Sequence, residues 1–242
     1  MIKYEKDEGT SYCLGITLCF ELLNKKTDSA RKLYLSPELE EGETRQRLIS
    51  LARLANIPVI VNNAKAFKGL PDKDNVLAIG EFSKFSDKLD ESKDHVVLCQ
   101  PMNMGNIGTI MRSSLAFGIK DLAIIAPNAD YFDPKAVRAS MGTIFSLRIH
   151  RYQSFGEYQA EFPNHSLYPF MLQASKLLGK QKLEFPCSLI FGNEAKGLDQ
   201  SFLHVGTPLL IKISGELDSL NLDNAASIAL FEYSREKDHF TM

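Results

Sequence analysis

Three stretches of the chain set polar side chains just beyond an apolar run and just before a helical pattern. That is where open α/β sheets bind their ligands. In the first, VVLCQPMNMGNIGTIMRSSLAFG (96–118), Gly105 and Gly108 allow close backbone approach at a helix entrance, and Asn106 and Arg112 supply an amide and a guanidinium. Asn106 is equally well placed to cap that helix, Gly118 to follow its end, and Arg112 to be a solvated helix charge. At 100° per residue the two side chains point about 120° apart if both are helical. They meet on one ligand only if Asn106 sits on the loop. In the second stretch, SLIFGNEAKGLDQSF (188–202), Glu194 follows a buried strand and Gly192. There it can accept hydrogen bonds from a ribose or an amine, hold an arginine, or face a helix dipole. In the third, LLIKISGELDSLNLDNAASIALFEYSRE (209–236), Ser219 and Asn221 are two apart and share one side of an extended loop. The alternative is that Asn221 or Asp223 caps the last helix.

These groups orient and hydrogen-bond; they are not a nucleophile set. The chain has no G-x-S-x-G elbow, no Walker lysine and no three-glycine Rossmann spacing. Its four cysteines are scattered and its five histidines dispersed, which predicts no disulfide framework and no metal site. Cys99 and Cys187 fall in strand patterns and read as core.

The elements that must position these residues can be read from hydrophobic pattern. Continuous apolar strands are predicted at His95–Gln100, Leu122–Ala126, Phe145–His150, Leu167–Leu172, Leu189–Phe191 and Leu209–Ile213. Helical patterns cover Ile107–Phe117, Phe155–Phe162 and Leu222–Arg235. This alternation predicts a parallel sheet covered on both faces. The charged segment FSKFSDKLDESKD (82–94) reads as a linker, dividing the chain into domains at 1–90 and 91–242. The first domain reads as a small α/β module, with strands at Leu33–Leu35, Pro58–Val61 and Val76–Ile79. Its helix over Gly42–Ala55 would bury Leu48, Leu51 and Leu54.

Composition sets outer bounds. The chain has 242 residues, 44% hydrophobic and 24% charged, with a net charge of −2. A polyanion partner would therefore need a local basic patch, not a global field. No apolar run is long enough to cross a bilayer, and the N-terminal MIKYEKDEGTSYC lacks a signal-peptide core, so a cytoplasmic protein without membrane contact is expected.

Taken in order, NIGTIMR, LIFGNEAKGL and SLNLDNAASIALFEY resemble the three signature motifs of the SpoU branch of SPOUT methyltransferases. VRASMGTIF (137–145) is similar to that family's segment between its first two motifs, and the resemblance covers about residues 94–236. Residues 1–85 resemble, more loosely, the small RNA-substrate-binding domain often fused to this catalytic domain, best at KAFKGLPDKDNVLAIGEF. The resemblance implies an α/β fold with a C-terminal trefoil knot, a feature that base rates would never suggest. It also implies methyl transfer from S-adenosylmethionine to a ribose 2′-hydroxyl of rRNA or tRNA, a homodimer with an active site completed across its interface, and no metal. Carried over by position, Asn106, Arg112, Glu194, Ser219 and Asn221 are the active-site residues. The cofactor would lie against Phe191, Gly192, Asn193, Ile211, Ile213 and Leu220, with Leu172, Gln173 and Ala174 over the adenine. Lys212, Asp218 and Asp223-Asn224 depart from the common pattern, and Asn224 could disturb helix packing or the dimer contact. Lys65, Lys68 and Lys73, with Arg45, Arg47 and Arg53, are candidates for RNA contact in the first domain. The rival readings are a non-catalytic RNA-binding or assembly factor that kept the fold, and a nucleotide-binding enzyme using the Gly105–Gly108 turn.

Overall fold

In the computed structural model, residues 2–61, 63–68 and 76–237 are described. Lys73 and the rest of the stretch GLPDKDN lie outside them. The chain divides into two units, Met1–Phe85 with Asp130–Ser146, and Ser86–Ala129 with Leu147–Met242. The division expected at residue 90 is thus not a single cut. The stretch Asp130–Ser146, which holds the whole VRASMGTIF segment, groups with the N-terminal unit.

That unit is built on a sheet of β1 (Thr10–Leu14), β4 (Ala78–Ser83), β2 (Ala30–Leu35) and β3 (Val59–Val61), in that spatial order. The first two pairings are antiparallel and β2–β3 is parallel. Among the described residues, α1 (Ile16–Lys25), α2 (Glu43–Leu54), α3 (Ala64–Phe67) and α5 (Pro134–Ala139) accompany it. At Gly80 both the neighbouring strand and α1 come close, since a Cβ there would lie 2.7 Å from Cys13 Sγ of β1 and 2.8 Å from Leu22 Cδ2 of α1. Phe82 packs edge-on against Phe145 with ring centres 5.1 Å apart. Two sequence expectations change here. Leu54 is 83% exposed, so the buried stripe of α2 rests on Leu48 and Ala52. The predicted strand at Phe145–His150 begins later, because Thr143–Ser146 forms a 3₁₀ turn.

The second unit holds a five-stranded, fully parallel sheet. Its spatial order is β7 (Arg148–Tyr152), β6 (Asp121–Ile125), β5 (His95–Cys99), β10 (Cys187–Phe191) and β8 (Ser166–Pro169). Every residue of β5, β6 and β10 is buried, as strands covered on both faces require. Val97, Cys99, Ala123, Ile125 and Ile190 form one face, packed with Tyr158 of α6 (Phe155–Glu161) and with Phe162. Helices α4 (Met104–Ala116) and α7 (Leu222–Glu236) pack on each other and are pinned by a 2.7 Å hydrogen bond between the Ser113 and Ser227 hydroxyls. A short parallel ladder joins β9 (Lys176–Leu177) to β11 (Leu209–Leu210). The strand predicted to Ile213 stops at Leu210, because its partner turns away: the Lys180 amide donates back to Leu177 O at 3.1 Å.

Candidate functional site

The site forms where β5 and β10, neighbours at the sheet centre, end together. The chain leaving β10 enters GNEAKGL as a closed hairpin. Asn193 and Gly197 exchange backbone hydrogen bonds of 3.1 and 2.8 Å, and Asn193 Oδ1 accepts from the amides of Ala195 and Lys196 at 3.0 and 3.1 Å. This loop folds back on its own first residue. A Cβ at Gly192 would stand 2.2 Å from Gly197 C and 2.3 Å from Leu198 N, so only glycine fits. Asn193 Nδ2 also donates to Gln100 O at 2.8 Å, tying the hairpin to the end of β5.

Glu194 takes up the next link. Its carboxylate accepts from the amides of Met102 and Asn103 at 3.0 and 2.9 Å, and from Asn106 Nδ2 at 3.3 Å. It therefore sits where the first helix of the unit begins, at the end of the macrodipole that favours an anion. The cap of α4 is Asn103, not Asn106: its backbone is extended, and its Oδ1 accepts from Gly105 N at 2.8 Å and Asn106 N at 3.2 Å. Asn106 is already inside the helix, so its condition for meeting Arg112 from the loop is not fulfilled. Arg112 is exposed, and its side chain has no hydrogen bond or ion pair among the described residues.

A cavity of about 230 Å³ opens beside this hairpin. One wall is Phe170, Met171, Leu172 and Gln173; another is Phe191 through Leu198; the third is Leu209, Leu210, Ile211 and Ile213, with Ser219, Leu220, Leu222 and Ala225 closing it. Phe170 and Phe191 stack face to face with centres 4.7 Å apart. The walls thus mix apolar surface with amide, carboxylate, hydroxyl and ammonium groups, a lining suited to a flat heterocycle with a polar tail. Among the residues proposed from sequence, the cavity brings together Leu172, Gln173, Phe191, Gly192, Asn193, Glu194, Ile211, Ile213, Ser219 and Leu220. Ala174 is buried but outside this lining, and Asn106 reaches it only through Glu194. Asn221 stands at the N-cap position of α7 without a side-chain cap bond. Asn224 is exposed and leaves α7 unbroken, so it does not disturb packing within the chain. Asn103, Gln100, Phe170 and Lys196 were not anticipated. The extended Asn just before a helical run was a readable cap signal; the aromatic stack was not.

No group of three or more His, Cys, Asp or Glu among the described residues could hold a metal. Burial pushes the Cys99 thiol up to about 12. Among the described residues, no helix is long and apolar enough to cross a membrane.

Comparison with known proteins agrees with this geometry. Residues 93–231 match the SpoU rRNA Methylase family, and the chain belongs to that family. The 23S rRNA (uridine(2479)-2′-O)-methyltransferase of Streptomyces viridochromogenes is 34% identical over 150 residues, 59% of this chain and 52% of that protein. The chain therefore spans about half the length of that relative. The crystal structure of the SpoU methyltransferase AviRb from Streptomyces viridochromogenes in complex with AdoMet superposes with a TM-score of 0.81 at 24% identity, covering 96% of this chain and 92% of that one. An AdoMet-bound rRNA methyltransferase from Sinorhizobium meliloti gives a TM-score of 0.79 at 23% identity, covering 97% and 89%. The fold is that of the SpoU methyltransferases.

Proposed function

We propose that this chain is an S-adenosylmethionine-dependent methyltransferase acting on a ribose 2′-hydroxyl of rRNA or tRNA. One observation carries the reading: in a SpoU family member, a cavity with stacked aromatic rings lies against the Gly192–Gly197 hairpin at the end of a parallel sheet. Phe191, Gly192, Asn193, Ile211, Ile213 and Leu220 would hold the cofactor, with Leu172, Gln173 and Ala174 over its adenine. When bound, S-adenosylmethionine supplies a methyl group on a positively charged sulfur, open to in-line displacement.

The chain's own residues do the rest. Glu194 fixes the start of α4 and with it the cavity rim. Ser219 and Asn221 would orient the ribose. Arg112 is a permanent cation and cannot take up the hydroxyl proton. Its role would be to orient the ribose or its phosphate and to stabilise developing negative charge. Its exposure and lack of a partner support a role toward a second copy of the chain. The homodimer would use α4 and α7, where Ile228 is 42% and Phe231 46% exposed. A C-terminal trefoil knot would bring Leu209–Ile213 beside the Gly192 hairpin, where both line the cavity. The N-terminal unit would hold RNA with Arg45, Arg47, Arg53, Lys65 and Lys68, in the cytoplasm.

The test is calorimetric titration with S-adenosylmethionine, then transfer from methyl-labelled cofactor to rRNA and tRNA with mapping of 2′-O-methyl positions. Cofactor binding with labelled ribose supports the reading. Binding without transfer to either RNA makes the chain a non-catalytic factor, and no cofactor binding overturns the reading.

A further inference from the structure

The turn leaving β9 carries cations that the proposed chemistry does not use. Lys176 on β9, and Lys180 and Lys182 beyond it, are all exposed. Lys176 pairs in register with Leu209, a residue of the cavity wall. The Leu178 amide donates to Leu210 O at 3.0 Å, and the amides of Lys180 and Gln181 close the turn onto Leu177 O at 3.1 and 3.3 Å. These bonds hold the lysine-bearing turn against the outside of the wall that Leu209 and Leu210 present to the cavity. Lys212 lies two residues past Leu210 on the same path, exposed between Ile211 and Ile213. None of the four ammonium groups has an ion pair or hydrogen bond among the described residues. Two carboxylates of α7 lie against this turn but are engaged by other groups: Glu236 accepts from the Leu183 amide at 2.8 Å, and Glu232, whose Oε1 would stand 3.1 Å from a Cβ at Gly179, pairs with Arg235 at 2.9 Å. Glu184, Glu216 and Asp218 lower the local charge but pair with none of the lysines.

We infer that Lys176, Lys180, Lys182 and Lys212 form an RNA-backbone strip on the C-terminal unit, gripping phosphates beside the nucleotide to be modified. This rests on the RNA-methyltransferase reading above. A protein with net charge −2 has no global field to attract a polyanion, so local clusters of cations must supply it, this strip beside those of the N-terminal unit. The four lysines stand outside the cavity lining, so the cofactor carboxylate does not explain them. Phosphate contacts of this kind set register on the substrate and leave sequence choice to other groups.

The probes are a fluorescent oligo-uridine 20-mer and total rRNA, with the full-length protein and a variant carrying all four changes, Lys176→Gln, Lys180→Gln, Lys182→Gln and Lys212→Gln. On single strands each neutralised phosphate contributes about 0.7 to the slope of log affinity against log salt. The variant should lose about 2 to 3 units of slope and, at 0.15 M salt, at least about tenfold in oligo-uridine affinity. KM for rRNA should rise by a similar factor, with kcat and S-adenosylmethionine affinity unchanged. A set of four Lys→Arg changes should restore binding. Unchanged slope and KM in a variant that still methylates would overturn the strip and leave the methyltransferase reading standing. Loss of cofactor affinity would overturn it too, by returning the lysines to the cavity. A wild-type protein that neither binds nor methylates RNA would instead sink the reading on which the strip rests.

Discussion

The tightest steric demand in the site is at Gly192, and Gly192→Ala measures what the hairpin does. The added methyl would stand 2.2 Å from Gly197 C and 2.4 Å from Gly197 O, both backbone atoms. No rotamer change relieves such a contact, so the loop must retreat by about 1 Å to reach ordinary packing distance. The overpacking costs about 1–3 kcal/mol, which in a chain of this size lowers Tm by roughly 2–12 °C. The functional loss should be larger. The displaced backbone is itself the cavity wall, and a 1 Å misplacement in a preorganised site costs about 100-fold. Two other glycines separate these effects. Gly197 has φ +69 but open space around a Cβ, so Gly197→Ala carries backbone strain alone, about 1–2 kcal/mol. Gly206 combines φ +55 with a Cβ only 2.2 Å from Leu167 O, yet it does not line the cavity. Thermal unfolding and S-adenosylmethionine calorimetry on the three variants should give comparable destabilisation for Gly192→Ala and Gly206→Ala. Only Gly192→Ala should lose about two orders of magnitude in cofactor affinity. If Gly192→Ala binds cofactor within threefold of the wild type, the hairpin is not the wall described.

Three further outcomes follow from the same geometry. Arg112→Ala should abolish methyl transfer while cofactor affinity stays within about twofold, because the side chain lies outside its own chain's cavity; near-normal turnover refutes the role. Burial holds the His95 imidazole down to about 4, against opposing pulls from the Asp90 carbonyl and the Asp94 and Asp121 carboxylates, while His165 beside it pushes the same way as burial. The unfolded chain takes up that proton near pH 6.5 and the folded one only near 4, so stability is lost as pH falls through this window, by up to about 3 kcal/mol. Denaturant titrations at pH 7, 5.5 and 4.5 should show a shallower loss in His95→Gln; equal slopes would contradict the assignment. Phe231→Glu should turn a dimer of about 54 kDa into inactive monomers by light scattering, and a wild-type monomer that methylates RNA would overturn the shared site.

The parallel core was legible because β5, β6 and β10 are buried on both faces and therefore continuously apolar. Elements whose limits are set by a distant partner were not. β1 and α1 went unread, since TSYCL mixes polar and apolar residues and its burial depends on α1 and on Gly80, far along the chain. β11 is short because β9 offers only two residues to pair with, a fact absent from the run LLIKI itself. The grouping of Asp130–Ser146 with the N-terminal unit is likewise a long-range outcome that no local pattern encodes. Within the site, the geometric condition on Asn106 and Arg112 came from helix periodicity, and the structure decides it against convergence within one chain. The dipole reading of Glu194 did not say which helix it faces. The residue meets the start of α4, about ninety positions earlier, through amides that sequence spacing cannot pair with it.

That placement bears on the proton that the proposed reaction would take from a ribose hydroxyl. Glu194 is the only carboxylate lining the cavity among the described residues. Both its oxygens already accept backbone amides at the start of α4. To act as a base it would have to give up hydrogen bonds worth about 1.5–3 kcal/mol each, as expected for charged acceptors. The buried thiol of Cys99 is no candidate at about 12, and Lys196 at the rim is a cation. The chain thus offers charge stabilisation more readily than a base. A guanidinium about 4 Å from a developing alkoxide, at an effective dielectric of about 20, is worth about 4 kcal/mol, or roughly three pKa units on the hydroxyl. With that much acidification a solvent molecule or a phosphate oxygen suffices as acceptor. This argues for an unpartnered arginine on an exposed helix face rather than a second carboxylate in the cavity.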